Sequence, residues 1–299
     1  MNNKSDSRKS LLMMVSSMLI FGTIGIFRKY IPVPSAFLAF SRGLLGALCI
    51  LLFIRLKKSR AREPVPRRAL PGLIVSGILI GINWMLLFEA YNHTAVAVAT
   101  LCYYMQPTIV TLLSPLVFRE KLTLRKSLCV AVSLAGMVLV SGAAESGGTQ
   151  GGSLRGVLLG LGAAVFYSAV VIMNKKIQGV DAFRKTTVQL LSAGLAMIPY
   201  LLVTGGFSIG SLSPSAVLLL LIVGIVHTGV AYVMYFGSMD GLRVQTVAIL
   251  SYIDPVSALL FSAFLLREPL SVLNIIGAIM IIGSAVFCGI GNQSGALSE

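Results

Sequence analysis

Three charged side chains lie inside long apolar stretches of this sequence, and their positions suggest two kinds of chemistry. Asp254 lies near the middle of one stretch, Arg42 is eight residues into another, and Glu89 is close to the end of a third. A charge at the centre of an apolar helix costs roughly 2.5–3.5 kcal/mol on insertion scales, so such side chains usually face the protein interior. Arg42 is suited to holding an anionic group such as a carboxylate. A carboxyl group as deep as Asp254 is suited to proton exchange.

Each of these charges also has a purely structural interpretation. Arg42 could be neutralised by Glu89 or by unpaired backbone carbonyls, and Glu89 could be solvated at the end of its stretch. The depth of Asp254 is the hardest to explain in this way. We therefore predict a proton-coupling role for Asp254, keep Glu89 as a second candidate for that role, and keep Arg42 as a candidate substrate-binding residue.

Four other residues in apolar stretches are candidates for a binding pocket. His227 is either a hydrogen-bonded packing residue or part of a proton relay. Trp84 and Tyr232 could line a pocket for an apolar or cationic solute, or they could belong to the core or face lipid. Gln189 is a polar side chain in an otherwise apolar stretch, so it is a further candidate lining group.

Two stretches, 95–118 and 244–266, combine a polar stripe at helical spacing with a central proline. Pro107 and Pro255 each lack a backbone N–H and free the carbonyl four residues earlier. In lipid, such a carbonyl needs another partner or a hydrated cavity, so we favour a lined cavity over a kink that merely aids packing. The candidate substrate-binding residues on these stretches are Tyr103, Tyr104, Gln106 and Tyr252.

The composition assigns these stretches to membrane-spanning helices. The 299-residue chain is 56% hydrophobic and 11% charged, whereas soluble domains are about 25% charged. A helix needs roughly 17–25 apolar residues to cross the hydrocarbon core, and continuous runs favour helices over a barrel. The sequence predicts an all-α integral membrane protein with ten spans: 11–27, 35–54, 69–90, 95–118, 126–143, 154–173, 186–203, 215–238, 244–266 and 271–290.

The positive charges indicate how these spans are oriented. With ten spans and a cytoplasmic amino terminus, nineteen of the 24 Lys and Arg residues fall on the cytoplasmic side. This asymmetry predicts a multi-pass plasma-membrane protein with both termini in the cytoplasm. The net charge of +14 is therefore a topology signal near anionic lipid, and we expect no nucleic-acid partner. The first span has no evident cleavage site, so we interpret it as a retained span.

The sequence carries no catalytic constellation. The four cysteines lie inside predicted spans without paired spacing, so they indicate packing residues and neither a metal site nor a disulfide framework. There is no Gly-rich phosphate loop and no nucleophile triad, and the loops are too short for an extramembrane domain. We expect no enzyme activity, no cofactor and no metal.

The second half of the chain repeats the first. A shift of 148 residues aligns 96–123 with 244–271, and eight of the 28 positions are identical, including Tyr104/Tyr252 and Pro107/Pro255. Five spans in each half predict inverted repeats with a central binding site. We expect a first repeat at 1–144, a Gly/Ser-rich linker at 145–153, a second repeat at 154–290 and a C-terminal tail at 291–299.

The repeated motifs resemble those of the EamA-type members of the drug/metabolite transporter superfamily. They are Gln106-Pro107 followed by Phe118-Arg119-Glu120-Lys121-Leu122, and Asp254-Pro255 followed by Leu266-Arg267-Glu268-Pro269-Leu270. Phe40-Ser41-Arg42 also matches an arginine common near the start of the family's second span. The resemblance implies that spans 1–4 and 6–9 surround a substrate cavity, with spans 5 and 10 at the periphery.

These observations together predict a secondary active transporter. We expect it to move a small metabolite, an amino acid or a related compound, across the plasma membrane by alternating access, outward and with proton coupling. A lipid-handling flippase and an exporter of cationic drugs are the alternatives. The expected partners are a small-molecule substrate and the lipid bilayer. The sequence leaves open the substrate's identity, the direction, the coupling ion and whether the chain forms a homodimer.

Overall fold

All regular secondary structure in the described part of the chain is helical. The computed structural model describes residues 2–56, 64–119, 123–140, 153–208, 210, 212–239, 242, 246–247 and 250–295. The predicted linker residues 145–152 lie outside these ranges, as do Glu120, Val244 and Ala248.

Thirteen α-helices and one π-helix cover most of the described residues. They are α1 (Asn2–Gly22), α2 (Ile24–Lys29), α3 (Ser35–Leu56), α4 (Leu70–His93), α5 (Val96–Tyr103), α6 (Gln106–Phe118), α7 (Leu124–Val140), α8 (Leu154–Lys176), α9 (Ala182–Val203), α10 (Pro214–Ile222), the π-helix Val223–Val230, α11 (Ala231–Met239), α12 (Ile253–Leu265) and α13 (Val272–Gly295).

Seven segments in the described residues are long and apolar enough to cross a membrane, and they agree with the predicted spans. Two shorter apolar helices, Ile253–Leu265 and Val272–Phe287, lie in the predicted ninth and tenth spans. The all-helical membrane architecture is thus confirmed, while the count of ten spans stays a prediction. The long segments are Arg8–Lys29, Ser35–Leu56, Leu70–His93, Val96–Val117, Leu154–Lys176, Ala182–Val203 and Pro214–Met239.

The prolines at the repeated motifs coincide with breaks in the helices. α5 ends at Tyr103, and α6 begins three residues later, at Gln106, with Pro107 in its first turn. The chain turns in the same way at Ser251 and Tyr252, just ahead of α12 and its Pro255. Proline suits the first turn of a helix because an N–H there has no partner in the helix. The kink expected from sequence is therefore a discontinuity, and both halves of the chain have it.

The repeated segments run in opposite directions. Val96 begins α5, and its backbone N–H donates to the carboxylate of Glu268, which follows α12 (2.8 Å). The start of one proline-containing segment therefore lies beside the end of its repeat equivalent. We call this end of the helix bundle, where Lys29, Val96 and Glu268 meet, the Glu268 end.

Exchanging the two halves maps the main helix contacts onto one another. The contact of α4 with α8 corresponds to that of α11 with α1, and the contact of α4 with α9 corresponds to that of the π-helix with α3. Two pairs, α3 with α9 and α7 with α13, consist of equivalent helices packed on each other. This pattern is what two inverted repeats related by a pseudo-two-fold axis produce.

Glycines allow the equivalent helices to approach closely. A Cβ atom at Gly43 of α3 would lie 2.7 Å from the Gly194 nitrogen and 2.8 Å from the Leu190 carbonyl oxygen of α9. Between α7 and α13, a Cβ at Gly136 would lie 2.8 Å from the Gly277 oxygen. Backbone atoms cannot move aside as the end of a flexible side chain can, so these positions require glycine. Small residues at helix crossings are typical of membrane proteins.

We predict that Gly43→Ala destabilises the protein because the new methyl group overlaps the backbone of α9. The free energy of unfolding should fall by about 1–3 kcal/mol, measured as a lower thermal unfolding midpoint of the purified protein in detergent. Gly162→Ala is the matched control, since its Cβ would meet only Leu86 at an ordinary 3.5 Å. An unchanged midpoint for Gly43→Ala would show that α3 and α9 are less tightly packed than described.

Candidate functional site

A cavity of about 460 Å³ lies between the two halves. Residues from both repeats line it, on the segments α1–α2, α3, α4, α5–α6, α8, α9, α11 and α12 and at the turn before α12. None of its described lining residues comes from α7 or α13, which pack on each other. This arrangement agrees with the basket of spans that the family resemblance implies. Ten of the predicted site residues border the cavity: Arg42, Trp84, Tyr103, Tyr104, Gln106, Pro107, Gln189, Tyr232, Tyr252 and Asp254.

Arg42 carries a buried charge with no carboxylate beside it in the described structure. Its side chain is only 5% exposed, its Nε donates to Thr228 Oγ1 (2.7 Å), and its guanidinium lies 4.0 Å from the centre of the Trp84 ring. No described residue accepts a hydrogen bond from the two terminal nitrogens, and these nitrogens are not among the atoms sealed off in the interior. They therefore border the cavity and can bind an anionic group.

Asp254 lies in the first turn of α12, directly after the break at Ser251 and Tyr252. It accepts a hydrogen bond from the Tyr104 hydroxyl (2.5 Å), so the two proline-containing segments are joined at the cavity. α1 passes close by, because a Cβ at Gly22 would lie 3.0 Å from the Asp254 carbonyl oxygen. Asp254 and Arg42 do not form an ion pair within 4.0 Å, and each keeps capacity for another partner.

Gln189 is anchored by hydrogen bonds on its amide nitrogen. The nitrogen donates to Ser76 Oγ (2.6 Å) and to Asn174 Oδ1 (2.8 Å), and the side chain is 4% exposed. With both amide hydrogens in use, the carbonyl oxygen has a fixed direction and is the group left to accept a hydrogen bond. Gln189 and Asn174 both border the cavity, so this pair adds a neutral polar surface to it.

Aromatic rings form much of the remaining wall. Tyr103 packs against Tyr104 and Tyr167, and Phe21 packs against Tyr232 and Tyr235. Such rings provide flat apolar surfaces and negative ring faces that can accommodate an apolar group or a cation.

Glu89 and His227 lie outside the cavity lining. Glu89 accepts hydrogen bonds from Ser35 (2.7 Å) and Asn92 (3.1 Å), and it pairs with His93 (3.1 Å). One interpretation of the sequence proposed that Glu89 neutralises Arg42, but the two side chains do not form an ion pair. His227 Nε2 lies 2.8 Å from Thr23 Oγ1, and the imidazole packs on Phe27. The surroundings of His227 resemble those of a hydrogen-bonded packing residue, whereas the Glu89 side chain is 35% exposed near the end of α4. The proton-coupling role of both residues stays a prediction.

Several lining residues were not predicted as site residues from sequence. Tyr167 and Asn174 of α8, Thr186 of α9 and Phe236 of α11 border the cavity together with Thr100. A shift of 148 residues also aligns Phe236 with Phe88 in the opposite half, and this identity was one available signal. α8 contains no proline or charge in its centre, so nothing local distinguished the cavity-facing positions on it.

Contacts at the Glu268 end join the two halves. The Glu268 carboxylate accepts the Val96 N–H, accepts a hydrogen bond from Ser262, and pairs with Lys29 (3.6 Å). Lys29 and Val96 belong to the first half and Glu268 belongs to the second. The preceding residue, Arg267, has a left-handed backbone conformation (φ 54°), and its repeat equivalent Arg119 has the same conformation (φ 56°). The turn of the repeated motif is thus preserved in both halves.

A helical bundle with inverted repeats around a central polar cavity is the architecture of a membrane transporter. The EamA-like transporter family matches residues 8–142 and again residues 154–290. The chain therefore belongs to the EamA-like transporter family.

Relatives agree with this membership, and a solved structure agrees with the fold. An uncharacterized transporter of Bacillus subtilis, YxxF, is 29% identical over 85% of this chain and 82% of its own length. An uncharacterized transporter of Archaeoglobus fulgidus is 28% identical over 91% of this chain and 93% of its own length. A crystal structure superposes with a TM-score of 0.64 at 22% identity, covering 95% of this chain and 98% of the other, which supports the fold.

We predict that a cysteine in place of Asn174 reacts with a water-soluble methanethiosulfonate reagent, because Asn174 borders the cavity. Ser168→Cys, on the same helix but fully buried, should react at least about tenfold more slowly, since thiol reactivity requires access to water. The wild-type protein gives the background from the native cysteines, and labelling is measured by intact-protein mass spectrometry. Equal rates for the two variants would contradict a hydrated cavity at Asn174.

Proposed function

We propose that this protein is a secondary active transporter that exports a small metabolite, an amino acid or a related compound, across the plasma membrane by alternating access, coupled to protons. The observation that carries the proposal is the presence of both Arg42 and Asp254 in the lining of one cavity between two inverted halves. A solute bound there contacts both repeats, so movement of one repeat against the other can expose it to either side.

The cavity chemistry supports a substrate that combines an anionic group with an apolar part. The terminal nitrogens of Arg42 provide the cationic surface, and Tyr103 and Tyr232 provide the apolar one. Gln189 offers an acceptor to an N–H or O–H group of the substrate. A buried charge gains most from a partner that replaces the water it has lost.

The contacts at the Glu268 end support alternating access. One carboxylate, one ammonium group and one backbone N–H join the two halves there. Such contacts can separate at modest cost when exposed to water. The distribution of Lys and Arg in the sequence favours an outer location for this end and a cytoplasmic location for both termini.

Asp254 is the residue we assign to proton coupling. It lies at a helix break beside the substrate-binding surface, where gain or loss of a proton changes its bond with Tyr104. A proton on Asp254 and a solute near it therefore influence each other's binding, which is the requirement for coupled transport.

The aromatic lining favours a second candidate function, export of an organic cation. Tyr103, Tyr104 and Tyr232 border the same cavity as Asp254, and carboxylate and aromatic groups together bind cations. Uptake of tetraphenylphosphonium that depends on Asp254 but not on Arg42 would favour this function over the first.

We predict that proteoliposomes containing the protein take up at least one radiolabelled amino acid or organic acid from a panel. Arg42→Ala should lower that flux at least about tenfold, because the substrate's anionic group loses a charge-assisted contact. Arg155→Ala, an exposed arginine at the start of α8, is the matched control and should keep full flux. Equal flux in the two variants would contradict anion binding by Arg42, and no flux of any solute would contradict transport.

We also predict that substrate flux moves protons and that Asp254→Asn abolishes this movement, since an amide cannot exchange a proton at that site. The measurement is the fluorescence of a pH dye trapped in proteoliposomes after addition of substrate. Asp181→Asn is the control, because Asp181 caps the first turn of α9 and does not line the cavity. If transport by Asp254→Asn kept its full pH dependence, the coupling role of Asp254 would be wrong.

A further inference from the structure

The π-helix in the eighth predicted span carries the residue that holds Arg42. In a π-helix the backbone hydrogen bonds span five residues, and such turns occur frequently at functional sites. Thr228 lies in this segment and is fully buried. Its hydroxyl donates to the carbonyl of Val223, the residue five positions earlier (3.1 Å), and so satisfies a backbone acceptor of the wider turn.

The same hydroxyl fixes the orientation of the Arg42 guanidinium. A hydroxyl can donate one hydrogen bond and still accept another. Thr228 donates to Val223 and accepts from Arg42 Nε at 2.7 Å. Trp84 limits the position of the guanidinium from a second direction, with its ring centre 4.0 Å from the central carbon.

These two contacts leave a defined part of Arg42 for a ligand. With Nε bonded to Thr228, the parallel donors on the two terminal nitrogens remain. A planar carboxylate can accept two parallel hydrogen bonds from such a fork. A neutral amide of the same size has only one acceptor oxygen, so it cannot accept both parallel hydrogen bonds in this way.

We propose that Thr228 is a positioning residue that aims the terminal nitrogens of Arg42 into the cavity and so gives the protein its preference for carboxylates. This inference rests on the proposed function, in which Arg42 holds an anionic group of the substrate. Thr228 acts through Arg42 and need not touch the substrate.

Trp84 provides a direct readout of this site. It is the only tryptophan among the 299 residues, and it stacks on Arg42, so its fluorescence reports on events at the guanidinium. The probes are hexanoate and its neutral isostere hexanamide, neither of which absorbs where tryptophan is excited. They are titrated into purified protein in detergent.

Trp84 fluorescence of the wild-type protein should change when hexanoate is added. The apparent Kd for hexanamide should be at least about tenfold higher, since hexanamide cannot form the charge-assisted pair with Arg42. Thr228→Val keeps the side-chain shape but removes the hydroxyl, so the apparent Kd for hexanoate should rise at least about tenfold. Thr228→Ser retains the hydroxyl and should restore binding. Thr187→Val is the matched control: Thr187 is buried, its hydroxyl donates to the Phe183 carbonyl (2.8 Å), and it does not line the cavity.

The outcomes separate this inference from the proposed function. If hexanoate does not change Trp84 fluorescence in the wild-type protein, anion binding by Arg42 is wrong and the inference fails with it. If the wild-type protein responds and Thr228→Val binds hexanoate equally well, only the positioning role is wrong. If Thr187→Val and Thr228→Val weaken hexanoate binding equally, the positioning role is also wrong, because the loss of any buried threonine hydrogen bond would then weaken binding. Should Thr228→Val not fold, Thr228→Ala takes its place in the same comparison.

Discussion

The structure depends on one constraint: a backbone N–H or C=O group inside hydrocarbon must find its partner within the protein or in trapped water. An uninterrupted helix meets this requirement by itself, but a broken helix does not. The described breaks near Thr23, Tyr104 and Ser251 all lie beside residues that line the cavity. Polar side chains satisfy part of the freed backbone there, as when the Thr23 hydroxyl donates to the Ile20 carbonyl in the last turn of α1 (2.7 Å). The helix breaks therefore depend on polar partners beside the cavity, and the same breaks bring polar backbone groups to the cavity wall.

The inverted repeat determines where that cavity lies. Equivalent helices pack on each other at α3 with α9 and at α7 with α13, through glycines that bring backbones together. The remaining segments leave space between them, and the two proline-containing segments meet there through Tyr104 and Asp254. Because the halves run in opposite directions, a residue and its repeat equivalent approach the cavity from opposite ends. Gln106 and Asp254, for example, occupy matched positions but contribute different chemistry.

Much of the fold and of the cavity lining could be predicted from the sequence, because both depend on local patterns. Apolar length located the helices, and the repeat with its prolines located the breaks. Arg42 and Asp254 stood out because a charge in an apolar helix has few explanations. The π-helix could not be predicted in this way, since Val223–Val230 has no composition that distinguishes it from an α-helix. The hydrogen bond of Glu89 with Ser35 was also missed, because it depends on how α3 and α4 come together.

The π-helix has a consequence for how changes in chain length affect the protein. Each residue advances an α-helix by about 100° of rotation, so an additional residue in a regular α-helix would turn everything beyond it. A π-turn takes up such a residue locally, because its hydrogen bonds span five residues instead of four, and the helix beyond keeps its direction. Loss of a single residue within 223–230 would therefore restore regular α-helical geometry and leave Tyr232 and Phe236 in the cavity wall. Relatives that differ here by a one-residue gap should keep that wall and differ in the wide turn around Thr228, which holds Arg42.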